Sequence, residues 1–247
     1  MFWRIRALTF YITISIVVIT FCIVLCLPMQ LFSAPYNIRY KVAKYFSYIF
    51  VYLVWFICGI KFKVEGLHKL PNDKQPYLAL ANHQSFWENF FMQLIVPIHS
   101  WVIKRELLDI PLFGWGLKTV LPIAVDRGNS RSVVQILNEG RKKIDAGLSI
   151  VMFPESTRIK VGSNVRFKPS SAKLAINTGI PVVLIAHNAG LLWPKGFWFK
   201  KSGTITVRII ECMSPKDIQE IGEVRALNSY IEDKITSEKV ALSQLEV

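Results

Sequence analysis

The apolar pattern of the chain divides it in two. Residues 8–27, "LTFYITISIVVITFCIVLCL", form a run of 20 positions without a charge. As a helix it would reach roughly 30 Å, one hydrocarbon core. A second run, "FSYIFVYLVWFICGI" (46–60), has 15 residues, short for a span, and is rich in the aromatics that favour a membrane interface. From about residue 62 charges of both signs appear, and short apolar runs alternate with amphipathic segments.

Those runs predict strands at 77–82, 101–104, 121–127, 148–153, 180–186 and 204–210. Helices are predicted from Ser85 to about Val96, over 130–146 with Asn129 or Ser130 as cap, over 170–178 ending at Gly179, and over 222–236. Near-continuous apolar strands alternating with helices argue for an α/β domain whose largely parallel sheet is covered on both faces. The predicted division is a helical membrane hairpin at 1–61 and an α/β domain at 62–247.

Charge sharpens the first part. The chain carries a formal net charge of +13, and no Asp or Glu precedes Glu65. Such a balance suits an anionic partner: nucleic acid, a phospholipid surface, an acidic protein or a phosphorylated substrate. Arg39, Lys41 and Lys44 fall between the two apolar runs, so a two-span hairpin would carry them across the membrane against the positive-inside tendency. Two arrangements remain: one spanning helix with the second at the surface, or both helices dipping into a single leaflet, which the cations at anionic headgroups favour. The length of the first run, and the lack of a small-x-small site after it, argue against a cleaved signal. The four cysteines show no ligand spacing and read as small hydrophobes in a reducing compartment; no metal site is indicated.

Chemistry concentrates in "NHQSFWENF" (82–90). Ser85-Phe86-Trp87-Glu88 fits a capping box, which alone explains Glu88 as a helix cap and leaves His83 a polar loop residue. Two residues five apart on one helix are separated by about 140° and cannot meet. With Ser85 as cap, however, His83 lies in the preceding loop and can fold back onto Glu88 in the first turn. A carboxylate there would fix the imidazole tautomer and stabilise the imidazolium, as a general base acting on a hydroxyl requires. No G-x-S-x-G elbow and no P-loop occurs.

Four motifs in order resemble those of the glycerophospholipid acyltransferases, and among them the bacterial 1-acyl-glycerol-3-phosphate acyltransferases. "NHQSFWE" is similar to N-H-x4-D, with Glu88 for Asp. "KRELLDIPLFGWGLKTVLPIAVDR" (104–127) matches the second region. "FPESTR" (153–158) matches F-P-E-G-T-R, with Ser156 for Gly, where a positive φ is no longer free. "IPVVLIAHNAG" matches the fourth. The resemblance covers about residues 62–212, and the N-terminal hairpin fits it too.

The resemblance implies acyl transfer from acyl-carrier protein or acyl-coenzyme A to the hydroxyl of lysophosphatidate at a phospholipid membrane, without a cofactor. The location it implies is the bacterial cytoplasmic membrane, with the domain facing the cytoplasm. His83 would be the base and Glu88 its partner. Arg158, with Lys104 and Arg127, would bind the phosphate, as the guanidinium fork suits. Glu155, with Ser156 and Thr157, would order the motif loop or contact the glycerol. Plainer readings stand beside these: Arg127 as a cap or a partner of Asp126, Lys104 as a solvated strand end, Glu155 as structural, His187 as a strand-end histidine, Arg166 and Lys168 as exposed cations. His68 and His99 carry no supporting motif. Two other functions stay open: an acyltransferase for glycerol-3-phosphate, another lysophospholipid or a lipid A precursor, and an inactive membrane lipid-binding protein. Nucleic-acid binding lacks any recognition motif.

Overall fold

The structure, a computed structural model, describes residues 2–72, 75–126, 131–196, 198 and 200–245. Arg127 and the two candidate caps Asn129 and Ser130 lie outside the described residues.

The first apolar run forms α1 (Phe2–Phe21), continues through a π-helical turn (Cys22–Cys26), and ends in α2 (Leu27–Leu31). After a short connection comes α3 (Tyr36–Cys58). This helix is longer than its apolar run: it takes in Arg39, Lys41 and Lys44, which the sequence reading leaves between helices. Their cationic side chains extend a good helix former rather than breaking it. Gly59 closes α3 in the left-handed conformation, φ 68°, with its N–H on Trp55 O.

Then follow β1 (Ile60–Glu65), β2 (Leu78–Ala81), α4 (Trp87–Ile95), β3 (His99–Lys104), α5 (Phe113–Thr119) and β4 (Ile123–Val125). The chain continues through α6 (Arg131–Asp145), β5 (Ser149–Met152), α7 (Ser170–Thr178), β6 (Val182–His187), α8 (Ala189–Leu192), β7 (Gly203–Met213), α9 (Pro215–Ile221) and α10 (Val224–Ser243). Among the described residues the sheet has seven strands in the order β1-β7-β6-β2-β5-β3-β4. The last five of these run parallel; β7 is antiparallel to β6, and β1 is parallel to β7. The expected largely parallel, two-face-covered sheet is therefore present.

Alternation along each strand sends side chains to two cores. Leu78, Leu80, Ile150 and Leu184 meet α6, α7, α9 and α10 through Ile136, Leu174, Ile218, Leu227 and Ile231. Ala79, Ala81, Val151, Val183 and Ile185 face the other way and share a cluster with Trp87 and Phe91 of α4, and with Phe10, Phe50, Val51 and Val54 of the N-terminal hairpin. The small residues of β2 let the second layer approach closely. The hairpin is thus one covering layer of the sheet. Arg6 Nε donates to Ile57 O at 2.7 Å and fastens α1 to the end of α3, while Tyr40 Oη donates to Val96 O at 2.8 Å and fastens α3 to the end of α4.

Its outer face is apolar and bare. Ile5, Leu8, Ile12, Ile16, Ile19 and Ile23, at helical spacing on one side of the first helix, are each 44–61% exposed; on α3, Tyr45, Tyr52 and Phe56 are 55–87% exposed. Arg4–Leu31 and Tyr36–Cys58 are both long and apolar enough to cross a membrane by length and composition.

Candidate active site

The residues singled out in the motifs sit at the carboxyl ends of the parallel strands, where open α/β sheets place their ligands. His83 follows β2, the "FPESTR" loop follows β5, Lys104 ends β3 and His187 ends β6.

The His83 ring is immobilised on several sides. Its Nδ1 lies 2.8 Å from Glu88 Oε1, and its face stacks on Phe153 at 4.2 Å between centroids, 9° from parallel. The His83 backbone N–H donates to Glu155 Oε2 at 2.6 Å, and its carbonyl accepts from Ile159 N–H at 2.7 Å. Residues 153–159 therefore hold the histidine by its ring face and by both of its backbone polar groups.

Glu88 is completely buried. Its Oε1 also accepts the N–H groups of Gln84 at 3.0 Å and Ser85 at 2.8 Å. Cap and imidazole partner are thus the same oxygen, and the two sequence readings of Glu88 are not alternatives. Ser85 Oγ accepts from Trp87 N–H at 3.2 Å, so the helix starts two residues beyond Ser85 and the loop carrying His83 folds over it. Burial pushes the Glu88 carboxyl up; His187, the His83 hydrogen bond and the Ser85 N–H oppose this, and the carboxyl ends below its ordinary value. It is a carboxylate at neutral pH.

His187 is buried and plays a different part. Its Nε2 lies 2.8 Å from Asn82 O, and its Nδ1 accepts Ala189 N–H at 3.3 Å. Burial lowers its pKa, and both ring nitrogens are occupied by backbone, which fits the strand-end reading. Asn82, which the sequence reading leaves without a role, clamps β2 to β6: its Oδ1 accepts His187 N–H at 2.9 Å and its Nδ2 donates to His187 O at 3.0 Å.

Glu155 is buried and faces inward, pairing with Lys239 of α10 at 3.4 Å. Burial raises its pKa against the His83 N–H and the Lys239 cation. Ser156 takes φ 61°. The left-handed turn that glycine would supply is thus retained despite the substitution, at a cost of roughly 1 kcal/mol. Thr157 is exposed, and Arg158 is half-buried.

An apolar cavity of about 540 Å³ opens from this centre and runs between the hairpin, α4 and α5. His83 and Arg158 both line it, with Phe10, Ile14, Phe50, Phe90, Leu117 and the two cysteines of the π-turn, Cys22 and Cys26. Its size is that of pockets that enclose a small ligand. Arg158 makes no ion pair with the described residues. Lys104 is turned instead to Glu106, 2.9 Å away and exposed; the side chain of Asp126 is held by Arg105 at 3.0 Å. Arg166 and Lys168 are exposed on either side of buried Phe167. The structure brings His83, Glu88, Glu155 and Arg158 together, and leaves Lys104 outside the lining.

The Acyltransferase family model matches residues 61–188. The 1-acyl-sn-glycerol-3-phosphate acyltransferase of Pseudomonas aeruginosa is 38% identical over 196 residues, covering 76% of this chain and 76% of that protein. A protein of Mycoplasma genitalium described as a probable 1-acyl-sn-glycerol-3-phosphate acyltransferase is 30% identical over 228 residues, 84% of this chain and 82% of its own. The crystal structure of the 1-acyl-sn-glycerophosphate acyltransferase PlsC from Thermotoga maritima superposes with a TM-score of 0.78 over 98% of this chain and 97% of that one, at 23% identity, and shares the fold.

Proposed function

Because this chain belongs to the Acyltransferase family, we propose that it transfers a fatty acyl group from a thioester to the free hydroxyl of lysophosphatidate, forming phosphatidate. One observation carries the mechanism: a buried carboxylate holds Nδ1 of His83 at 2.8 Å, while the ring itself lines an apolar cavity shared with Arg158. Nδ1–H donates to Glu88, so Nε2 is the basic nitrogen. It takes the proton as the acceptor oxygen attacks the thioester carbonyl; Glu88 stabilises the imidazolium. The tetrahedral intermediate collapses with loss of the thiol, which receives that proton. Arg158 pairs with the acceptor phosphate, and the cavity takes an acyl chain. Acyl-carrier protein and acyl-coenzyme A are both polyanionic donors suited to a chain of net charge +13.

The hairpin supports membrane attachment within one leaflet. Both helices lie along the α/β domain and give one face to its core. A membrane-crossing hairpin would draw the charged domain beside it into the hydrocarbon; lying in the interface, the bare outer face of isoleucines and aromatics meets lipid while the domain stays in water. The test offers the purified full chain, in phospholipid vesicles, one acyl thioester and a panel of acceptors, with products identified by mass. Phosphatidate formed from lysophosphatidate, and absent with His83→Ala, is expected. Transfer only to another lysolipid would replace the acceptor; full turnover by His83→Ala would remove the base.

A further inference from the structure

The C-terminal helix carries a residue that packing alone does not explain. Along α10 the buried stripe is Leu227, Ile231, Ile235, Lys239 and Leu242, the four apolar members at 0% exposure and Lys239 at 4%. A lysine thus occupies a core position at helical spacing, where an apolar side chain of similar length would pack as well or better. Its ammonium reaches Glu155 Oε1 at 3.4 Å, the side chains being 5% and 0% exposed. The other oxygen of the same carboxylate accepts the backbone N–H of His83. A carboxylate this deep keeps its charge through a cation or through several hydrogen-bond donors; Glu88 has three donors, whereas Glu155 has the His83 N–H and the Lys239 ammonium. The position of that cation is fixed independently, by the four apolar residues of its own helix.

We propose that Lys239 is a positioning residue for acyl transfer: it holds Glu155 as a carboxylate, and Glu155 fixes the His83 peptide and so the aim of the imidazole. The chain of contacts runs from a helix beyond the 61–188 segment that defines the family to the histidine, through two side chains. Ile159 N–H holds the His83 carbonyl, in the next peptide along. Release of the Glu155 contact would leave His83 with one backbone tether and its Glu88 bond, free to tilt over Phe153. This inference rests on the reading of His83 as base.

The test uses the full chain in phospholipid vesicles with lysophosphatidate and acyl-coenzyme A. Lys239→Met keeps length and packing and removes the charge. It should lower kcat by about ten- to a hundred-fold, the scale of a small misplacement of a reacting group, while both KM values stay within about threefold. A brace for overall stability would not produce that split at temperatures where the variant is folded. Glu155→Gln/Lys239→Met keeps an acceptor oxygen for His83 N–H and leaves no charge at this pair, and should regain at least about tenfold of the loss. A Lys239→Met kcat within about twofold of wild type, a loss confined to KM, or a double variant no better than the single one would each overturn the proposal. Should Lys239→Met fail to fold, the uncharged double variant decides: kcat near wild type supports the proposal, and kcat as low as His83→Ala overturns it. His83→Ala run alongside separates the two readings. If it is inactive while Lys239→Met matches wild type, only the role of Lys239 fails; if it turns over normally, the base itself is wrong.

Discussion

Replacing Glu88 by Gln separates charge from capping at a single atom. Glu88 Oε1 accepts three donors, from His83, Gln84 and Ser85, and Oε2 is buried without a partner among the described residues. The amide oxygen of Gln can occupy the Oε1 position and keep all three. The amide NH2 then falls where Oε2 was, with no acceptor, and a buried unpaired donor costs about 1–3 kcal/mol. For a chain of this size that is roughly 2–4 °C in Tm for each kcal/mol, or about 2–12 °C altogether. The kinetic loss has another origin. Without the carboxylate the imidazolium formed on proton uptake is unsupported, and the tautomer with a proton on Nδ1 loses its charged acceptor. kcat should fall by about 10²–10⁴-fold, equivalent to roughly 3–5 kcal/mol of barrier. The assay pairs a melting curve with kcat measured well below the variant's Tm. A Tm lowered as stated with kcat within about threefold of wild type would refute the reasoning: Glu88 would then be a cap and nothing more.

Arg158→Ala removes from the cavity a guanidinium that makes no ion pair among the described residues and should raise the lysophosphatidate KM by about ten- to a hundred-fold, with the donor KM little changed; a donor-selective effect would assign the arginine to the thioester. Gly116 lines the cavity on α5, and a Cβ there would meet open space, so Gly116→Leu should fold normally and favour shorter acyl chains in a competition assay, whereas unchanged chain preference would place the acyl group elsewhere. Burial lowers the pKa of His99 from 6.5 to about 4, so the unfolded chain binds the proton first: stability is complete above about pH 6.5 and declines as pH falls toward about 4, by about 3 kcal/mol in full. A pH series of Tm values should show that slope, and His99→Gln should flatten it; an unaltered slope would assign the acid lability to other groups.

Much of the architecture is legible in the chain because its causes are local. A strand buried on both faces must be almost wholly apolar, and 77–82, 148–153 and 180–186 are so but for Asn82 and Ser149; each forms a central strand. The edge strand β1, "IKFKVE", is not among the strands the apolar pattern predicts. Its alternating lysines and exposed side chains look like loop, and its pairing with β7 joins residues about 140 positions apart. α3 is longer than its apolar run for a related reason: hydropathy marks the face that is buried or in lipid, while a helix also continues through cations that reach water.

The candidate site divides along the same line. The loop-then-cap arrangement that lets His83 meet Glu88 is legible in the sequence, since helix geometry and a capping signature are properties of nearby residues. The folded arrangement of the loop is what makes one oxygen serve both as cap and as partner to the imidazole. Packing across the fold likewise makes Ser156 hold a left-handed turn glycine would hold freely, turns Lys104 to Glu106 while Arg158 enters the cavity, and makes the hairpin one wall of that cavity. Lys239 marks the limit most clearly. Helical spacing from Ile235 and Leu242 puts it on the buried stripe, unlike Lys234, but does not name its partner, because a buried ion pair is specified by where two segments 84 residues apart meet.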